Sequence, residues 1–533
     1  MKNKIKFLAV VLIWSPFLVY GQSSGYYDVK SFGAVGDGET LETKAIQKAV
    51  DACTKQGGAV LFPPGTYLTG TIYLKNNVTL RIEKGATILG SQRLEDYPVN
   101  DPDYVFFRKG ILKRALIYAE HQENIAIEGA GTIDGQGQYF LVSESDRANY
   151  SIRPYLIWMT RCKNVRTEGV HLQNSAFWMQ HYLACDDVYI HNISVYNQCN
   201  RNNDMIDIDG CHNVIISDFV GDSDDDGITL KSTSGRACEN IIITNCLLSS
   251  HCNAIKCGTE SNTGFKNIVI SNIVIRPSKK KTAIYGRPEG ISGISLEMVD
   301  GGEIDGISIS NVIITGPKVP LFVRLGNRAR KYDPDQPEPG IGTIRNISIS
   351  HVTAYGADVF GSSFTGLRDH PVTNLSLSHI RLYYSGGGTK SDATRMIPEQ
   401  EKEYPEAEMF GNLNAYGMYF RHVKNLDIID VECYAEKPDM RPVLWLEDVD
   451  GAVISDVQGN MQPTGSLAKI VQSKDIFLSN IQPFSFCNAL LEVTGTDSKN
   501  IRLINNDLSK VQQAFITLDG ADKDELKLLN NGK

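Results

Sequence analysis

One segment recurs along the chain at a nearly fixed interval, and that recurrence limits the available folds more than any other feature. NVRTEGVHLQNS from Asn164, DVYIHNISVYNQ from Asp187, NVIISDFVGDSD from Asn213, NIIITNCLLSSH from Asn240 and NIVISNIVIRPS from Asn267 align without gaps. Their starts lie 23, 26, 27 and 27 residues apart. Each opens with Asn or Asp, continues with a β-branched residue and then alternates apolar positions. Weaker copies begin at Asn77, Asn124, Asn346, Asn374, Asn425 and Asn500. A period between about 20 and 50 residues marks stacked supersecondary units. Short strands separated by Asn, Asp and Gly turns, with no helix between them, make each unit one coil of a parallel β-helix. Successive coils then lie about 4.8 Å apart. An open end of such a stack would template aggregation. TLETKAIQKAVDACTKQGG addresses one end, with Ile46, Val50 and Cys53 at helical spacing, Thr43 as cap and Gly57-Gly58 as stop. The expected architecture is all-β, a single-domain parallel β-helix over residues 22–533 with an N-terminal capping helix.

The first 21 residues have a different character. Met1–Lys6 carries three lysines, FLAVVLIWSPFLVY follows, and Gly21-Gln22 closes the segment. This order of basic, apolar and small residues predicts a signal peptide cleaved after Gly21, and hence a periplasmic or secreted protein. There is no cysteine beside the cut to carry a lipid. The body of the chain has no 18-residue apolar span, so stable membrane insertion after cleavage is not expected. A net charge of −9 leaves no nucleic-acid footprint. Eleven cysteines, several inside apolar runs, suggest stacked core thiols. No CxxC pair is present to suggest zinc.

DSDDDGITLKS, from Asp222 to Ser232, places four carboxylates within five residues. It matches the first half of a calcium-binding EF-hand loop, but the twelfth position, where a bidentate Glu is required, is Thr233. Neither a metal nor a cofactor is expected. In a coiled stack, residues one period apart become vertical neighbours. Asp204 precedes Asp225 by 21 residues and Asp226 by 22, so the three carboxylates should converge from adjacent coils. Crowded carboxylates raise one another's pKa, which favours acid–base work. Asp222 and Asp224 read as solvated turn residues.

From these residues outward the sequence resembles the polygalacturonase family, glycoside hydrolase family 28, in its bacterial branch. The resemblance rests on SFGAVGDGETLETKAIQKAVDAC near the start, on GTIDGQG, and on NSAFWMQHYLACDDVYIHNISV. The family's Asn-Thr-Asp motif falls on Asn202-Asn203-Asp204 and its Asp-Asp motif on Asp225-Asp226. The resemblance implies a right-handed coil, Asp225 as general acid, and Asp204 and Asp226 as the pair that positions and deprotonates water. It also implies inversion at the anomeric carbon, although a stacking distance near ~5 Å would by itself match retention. The implied partner is a pectic oligo- or polysaccharide, either polygalacturonan or rhamnogalacturonan fragments, met by a monomer.

Departures from the family concern the residues that read the substrate. Cys252 stands at the position of the family histidine, with His251 one residue early. The family's Arg-Ile-Lys element has no clean counterpart. Candidates for substrate contact are Trp178, His181, Lys231, His251, Lys256, Arg287 and Arg324. Two polar insertions, RKYDPDQPEPGIG and the stretch from Gly386 to Gly417, interrupt the repeat. Long insertions in a compact β-fold often carry function. Walls at one end of a cleft predict exo action; the resemblance implies galacturonic acid as the expected product, and the missing Arg-Ile-Lys element leaves a neutral sugar such as rhamnose as the alternative. Two other classes fit the same fold, namely a calcium-dependent pectate-type lyase and a non-catalytic glycan-binding β-helix.

Overall fold

The computed structural model describes residues 25–107, 109–111, 113–141 and 150–532. The predicted signal segment, 1–21, lies outside the described residues. Among the described residues, 37 strands wind into one continuous sheet. The pairing follows the repeat read from the sequence. Val165 pairs with Val188, Val188 with Val214, Val214 with Ile241 and Ile241 with Ile268, in parallel register. All five side chains are buried, so the residue after each Asn forms one apolar column through the interior.

The Asn itself does two things. Asn164, Asp187, Asn213, Asn240 and Asn267 all adopt left-handed backbone, with φ between 52° and 58°. Asn and Asp tolerate this corner conformation better than other non-glycine residues. Their side chains also link the coils. The Asn213 amide donates to Asp187 at 3.0 Å, Asn240 to Asn213 at 3.2 Å and Asn267 to Asn240 at 3.2 Å. Asn240 gives one of these bonds and receives another, each worth about 0.5 kcal/mol at this exposed edge, and a left-handed alanine costs a further ~1–2 kcal/mol. Asn240→Ala should therefore lower unfolding stability by about 2 kcal/mol in chemical denaturation. Asn240→Gly, which keeps the corner free of strain, should lose less. Equal losses from the two variants would remove the backbone part of this account.

The capping helix is present over Thr43–Cys53 and buries Ile46, Ala49, Val50 and Cys53 against the first coil. Its start differs from expectation. Glu42, not Thr43, occupies the cap position, and no side chain caps the helix. Thr43 Oγ1 is taken up by the Gly70 amide at 2.7 Å, and the Glu42 carboxylate turns back to accept from the Gly36 amide at 2.7 Å. All eleven cysteines are free thiols and ten of them are buried, as stacked core thiols require. No described helix is long and apolar enough to cross a membrane.

One face of the coil carries the site. Its strands include Gln180–Leu183, Ile206–Asp209, Ile228–Ser232, Asn253–Ser261 and Ser292–Met298. Along each strand alternate residues point inward, such as Ile206, Ile208, Leu230 and Ile255. The outward column runs His181, Asp207, Thr229, Lys256, Ser295, each paired with the next. These polar residues are all buried, because loops cover the face. The largest cover comes from the second insertion. Its Ile397, Ala407, Phe410 and Leu413 pack on Cys252, Ile291, Phe322 and Tyr419. Burying those apolar side chains, at roughly 25 cal/mol per Å2, fixes the insertion against the sheet.

Candidate active site

The three aspartates meet as the period predicted. Ile206 pairs with Ile228, which sets Asp204 level with Asp226 one coil away, and the Met205 amide donates to the Asp226 carbonyl at 3.0 Å. One coil below, the Met179 amide donates to the Asp204 carbonyl at 3.0 Å, bringing Trp178 to the same column. Asp204 sits on a turn held by Asn197, whose amide donates to the Asp204 carbonyl at 3.0 Å. Asn203, which replaces the family threonine, donates to the Ser175 carbonyl at 2.8 Å and the Phe177 carbonyl at 3.1 Å. The turn is thus tied down on both sides of the aspartate.

Asp204, Asp225 and Asp226 open into a cavity of about 230 Å3, together with Trp178, Lys231 and Lys256. Asn202, Thr259, Glu260, Tyr285 and Arg330 complete its wall, and the second insertion closes it with Tyr404 and Glu406. Asp225 accepts from the Asn202 amide at 3.4 Å, and Asn202 is itself oriented by Arg153 at 3.0 Å. Asp226 accepts from the Asn253 backbone at 3.2 Å and from the Asn253 side chain at 2.8 Å. Lys256 Nζ lies 3.2 Å from Asp226, and Lys231 Nζ lies 4.0 Å from Asp204 and 3.4 Å from Asp207. Lys231 also rests on the Trp178 ring, 4.5 Å from its centroid.

The electrostatics separate these groups. Burial, reinforced by Asp226, pushes the Asp225 carboxyl up to about 7. Burial and the neighbouring Asp207 raise Asp204 well above the usual carboxylate range. Asp207, beneath the cavity, is pushed up to about 8 by burial and by Asp226, against the pull of Lys231. Burial alone would depress both lysines, but Glu260 and Asp207 hold Lys231 above its ordinary value, and Asp226 and Glu297 do the same for Lys256. A proton-bearing carboxyl beside a lysine-paired carboxylate is the arrangement that acid–base catalysis needs.

Four of the expected substrate contacts do not reach the cavity. His181 is fully buried, pairs with Asp209 at 3.1 Å and stacks on Tyr155. His251 is fully buried and donates from Nδ1 to the Arg287 carbonyl at 2.9 Å; the thiol of Cys252 lies instead beside the Asp225 and Asp226 carboxylates. The one-residue offset sends His251 to the other side of the chain. Arg287 is exposed and pairs with Glu408 at 3.4 Å. Arg324 is buried under the insertion, over Phe410 and bonded to the Glu399 carbonyl, and burial lowers its pKa to about 10. Asp222 and Asp224 are also not solvated turn residues. They accept from the Lys279 amide at 3.0 Å and from the Ile284 and Tyr285 amides at 2.6 and 2.8 Å, and so hold the loop that delivers Tyr285.

Sequence reasoning passed over Asp207, Glu260, Glu297, Tyr404 and Glu406. Asp207 carried a signal, since it alternates with Asp209 in IDID and shares a column with Lys256. Tyr404 and Glu406 carried none, because the insertion has no period to place them.

Residues 60–402 match the profile described as Glycosyl hydrolases family 28, and residues 26–93 match one described as Rhamnogalacturonase A/epimerase, pectate lyase-like. A Vitis vinifera protein named "Probable polygalacturonase" is 35% identical over 212 residues, 38% of this chain and 43% of that protein. An exo-poly-alpha-D-galacturonosidase from Dickeya chrysanthemi is 29% identical over 201 residues, 36% of this chain and 31% of that protein. The chain therefore spans less than half the length of these curated relatives. A solved exopolygalacturonase from Thermotoga maritima shares the fold, with a TM-score of 0.57 and 23% identity over 67% of this chain and 87% of that one.

Proposed function

The chain belongs to glycosyl hydrolase family 28, and on that premise we propose that it is an exported enzyme that hydrolyses pectic chains from an end, with inversion. The observation that carries this reading is the convergence of Asp204, Asp225 and Asp226 from adjacent coils on one cavity. Asp225, with its carboxyl near 7, gives its proton to the leaving glycosidic oxygen as the bond to the anomeric carbon breaks. Water attacks that carbon from the opposite face. Asp226, held by Asn253 and Lys256, takes the water proton, and Asp204 orients the water.

The end-cutting part of the proposal rests on the insertion. Tyr404 and Glu406 close the cavity, whose volume of about 230 Å3 is below the ~300–1,000 Å3 of sites for larger ligands. A single sugar unit suits that space, whereas a chain passing through does not. Names of relatives lend support, since one is an exo-poly-alpha-D-galacturonosidase.

The test is a digest of polygalacturonate and rhamnogalacturonan oligosaccharides, with products read by mass spectrometry and the new anomer read by proton NMR, with and without EDTA. Single sugars of inverted configuration, released at the same rate in EDTA, are expected. Rapid mid-chain cutting would end the exo reading. An unsaturated product whose formation stops in EDTA and returns with calcium would place the enzyme among the lyases instead.

A further inference from the structure

Cys252 stands where the family has a histidine, and its thiol is built into the surroundings of Asp225. The residue is fully buried. Its sulfur and one carboxylate oxygen from each of Asp225 and Asp226 lie within 4.8 Å of one another. The Ser250 hydroxyl ties the turn to the cysteine, since it donates to the Asp225 carbonyl at 2.6 Å and accepts from the Cys252 amide at 2.9 Å. The Cys252 carbonyl accepts from the Ile291 amide at 2.7 Å. Gly286 closes in behind the sulfur, where an added Cβ would stand only 2.8 Å from it. The thiol therefore has little freedom to turn away from the carboxylates. Burial and the two aspartates hold its pKa well above the ordinary thiol range, so it keeps its proton and serves as a weak donor. The Asp224 carbonyl is within reach but 3.9 Å away. The bond to the Asp225 carboxylate favours the ionised form of that acid, against burial and Asp226, which favour the protonated one.

Building on the assignment of Asp225 as general acid, we propose that Cys252 is a positioning residue whose thiol donates to the Asp225 carboxylate and so sets the highest pH at which the acid still holds its proton. An imidazolium in the same place would bring a full charge and a stronger donor. The neutral thiol leaves the acid loaded closer to neutral pH. Other groups face the pair from every side: Asp226 on the same turn, Asp204 on the preceding one, Lys231 and Lys256 on the rungs, Tyr285 on its loop and Glu406 on the insertion. Burial pushes Glu406 up to about 7, into the same range as Asp225, so the test is run with and without it.

The experiment measures kcat from pH 5 to pH 9 for the wild type, Cys252→Ala and Cys252→Ser, each also combined with Glu406→Gln. The substrate is whichever of the polygalacturonate and rhamnogalacturonan oligosaccharides is cleaved faster. Cys252→Ala lacks the donor. Its alkaline limb should move up by roughly half a pH unit, and the ratio of kcat at pH 8 to kcat at pH 5 should rise ~3-fold. Cys252→Ser keeps a donor, and a stronger one, so its limb should stay in place or move down. An upward move in Cys252→Ser would overturn the inference even where Cys252→Ala does not fold. A loss of kcat that is the same at every pH would mark a merely structural residue. That result, or an unmoved limb in Cys252→Ala, would overturn the inference and leave Asp225 as the acid. A shift that vanishes once Glu406 is replaced would assign the limb to Glu406 and overturn it as well. A wild type whose kcat does not fall above pH 7, or cleavage of neither substrate, would remove the acid reading and this inference with it.

Discussion

Asp225→Asn should lose ~10²–10⁴-fold in kcat, the usual cost of one general acid, while the protein folds normally. The substitution keeps the shape and removes the proton that the leaving oxygen needs, while its single carbonyl oxygen accepts from the Asp226 backbone amide or from Asn202 but not from both. The pH dependence makes the test sharper. Asp225 titrates near 7 in the folded protein against an ordinary value of 3.8. The active form is the protonated one, so wild-type kcat should fall as pH rises through about 7. Stability follows the same sign. A carboxyl raised by folding adds its full contribution below about pH 4, and that contribution is lost as pH rises through about 7. Asp225→Asn has no charge to bury. It should melt above the wild type at pH 8, by an amount on the order of 1 kcal/mol or more, and the gap should close near pH 4. A variant that keeps more than a tenth of the wild-type rate would move the acid role elsewhere.

Lys256→Met should fail in two ways at once. Lys256 is buried between Asp226 and Glu297, and its removal leaves both carboxylates without their cation. Breaking one partner of a buried ion pair costs about 3–5 kcal/mol, readable in chemical denaturation. Asp226 also loses the charge that holds it toward the water, and kcat should drop by ~10²-fold or more. The double variant Lys256→Met/Glu297→Gln separates the two effects. Burial pushes the Glu297 carboxyl up to about 8, so above that pH, where Glu297 is charged, replacing it should recover part of the stability and none of the activity. Recovery of both would mean that Lys256 serves only to neutralise the interior.

Whatever the period governs was legible from the sequence. The coil, the apolar column behind each Asn and the meeting of Asp204 with Asp226 all follow from residue spacing, because parallel pairing converts a fixed interval into a vertical contact. Lys231 and Lys256 were found the same way. The errors came where spacing stops being informative. His251 and Cys252 differ by one position, and on an extended chain that decides which of them faces the carboxylates. Arg324 has the right chemistry and the right face but lies under the insertion, with its charge spent on Glu399, Thr365 and Gly366. Asp222 and Asp224 looked like turn residues because the loop they anchor is distant in sequence. Tyr404 and Glu406 arrive from about 180 residues beyond the aspartates, with no repeat to announce them.

The coils and the covering loops answer to different constraints. A rung must match its neighbours above and below, residue for residue, through both the apolar column and the asparagine corner. A loop that leaves between rungs need match nothing beneath its own anchor points, so its length can change without shifting any pairing. The three aspartates proposed as catalytic belong to the turns between rungs, and Lys231, Lys256 and Glu260 to the rungs themselves, whereas Tyr404 and Glu406 belong to a loop. Selection can therefore exchange the lock while keeping the bolt. Exchanging the insertion between Gly386 and Gly417 would change the Tyr404 and Glu406 side of the cavity and leave the pairing that brings the three aspartates together untouched.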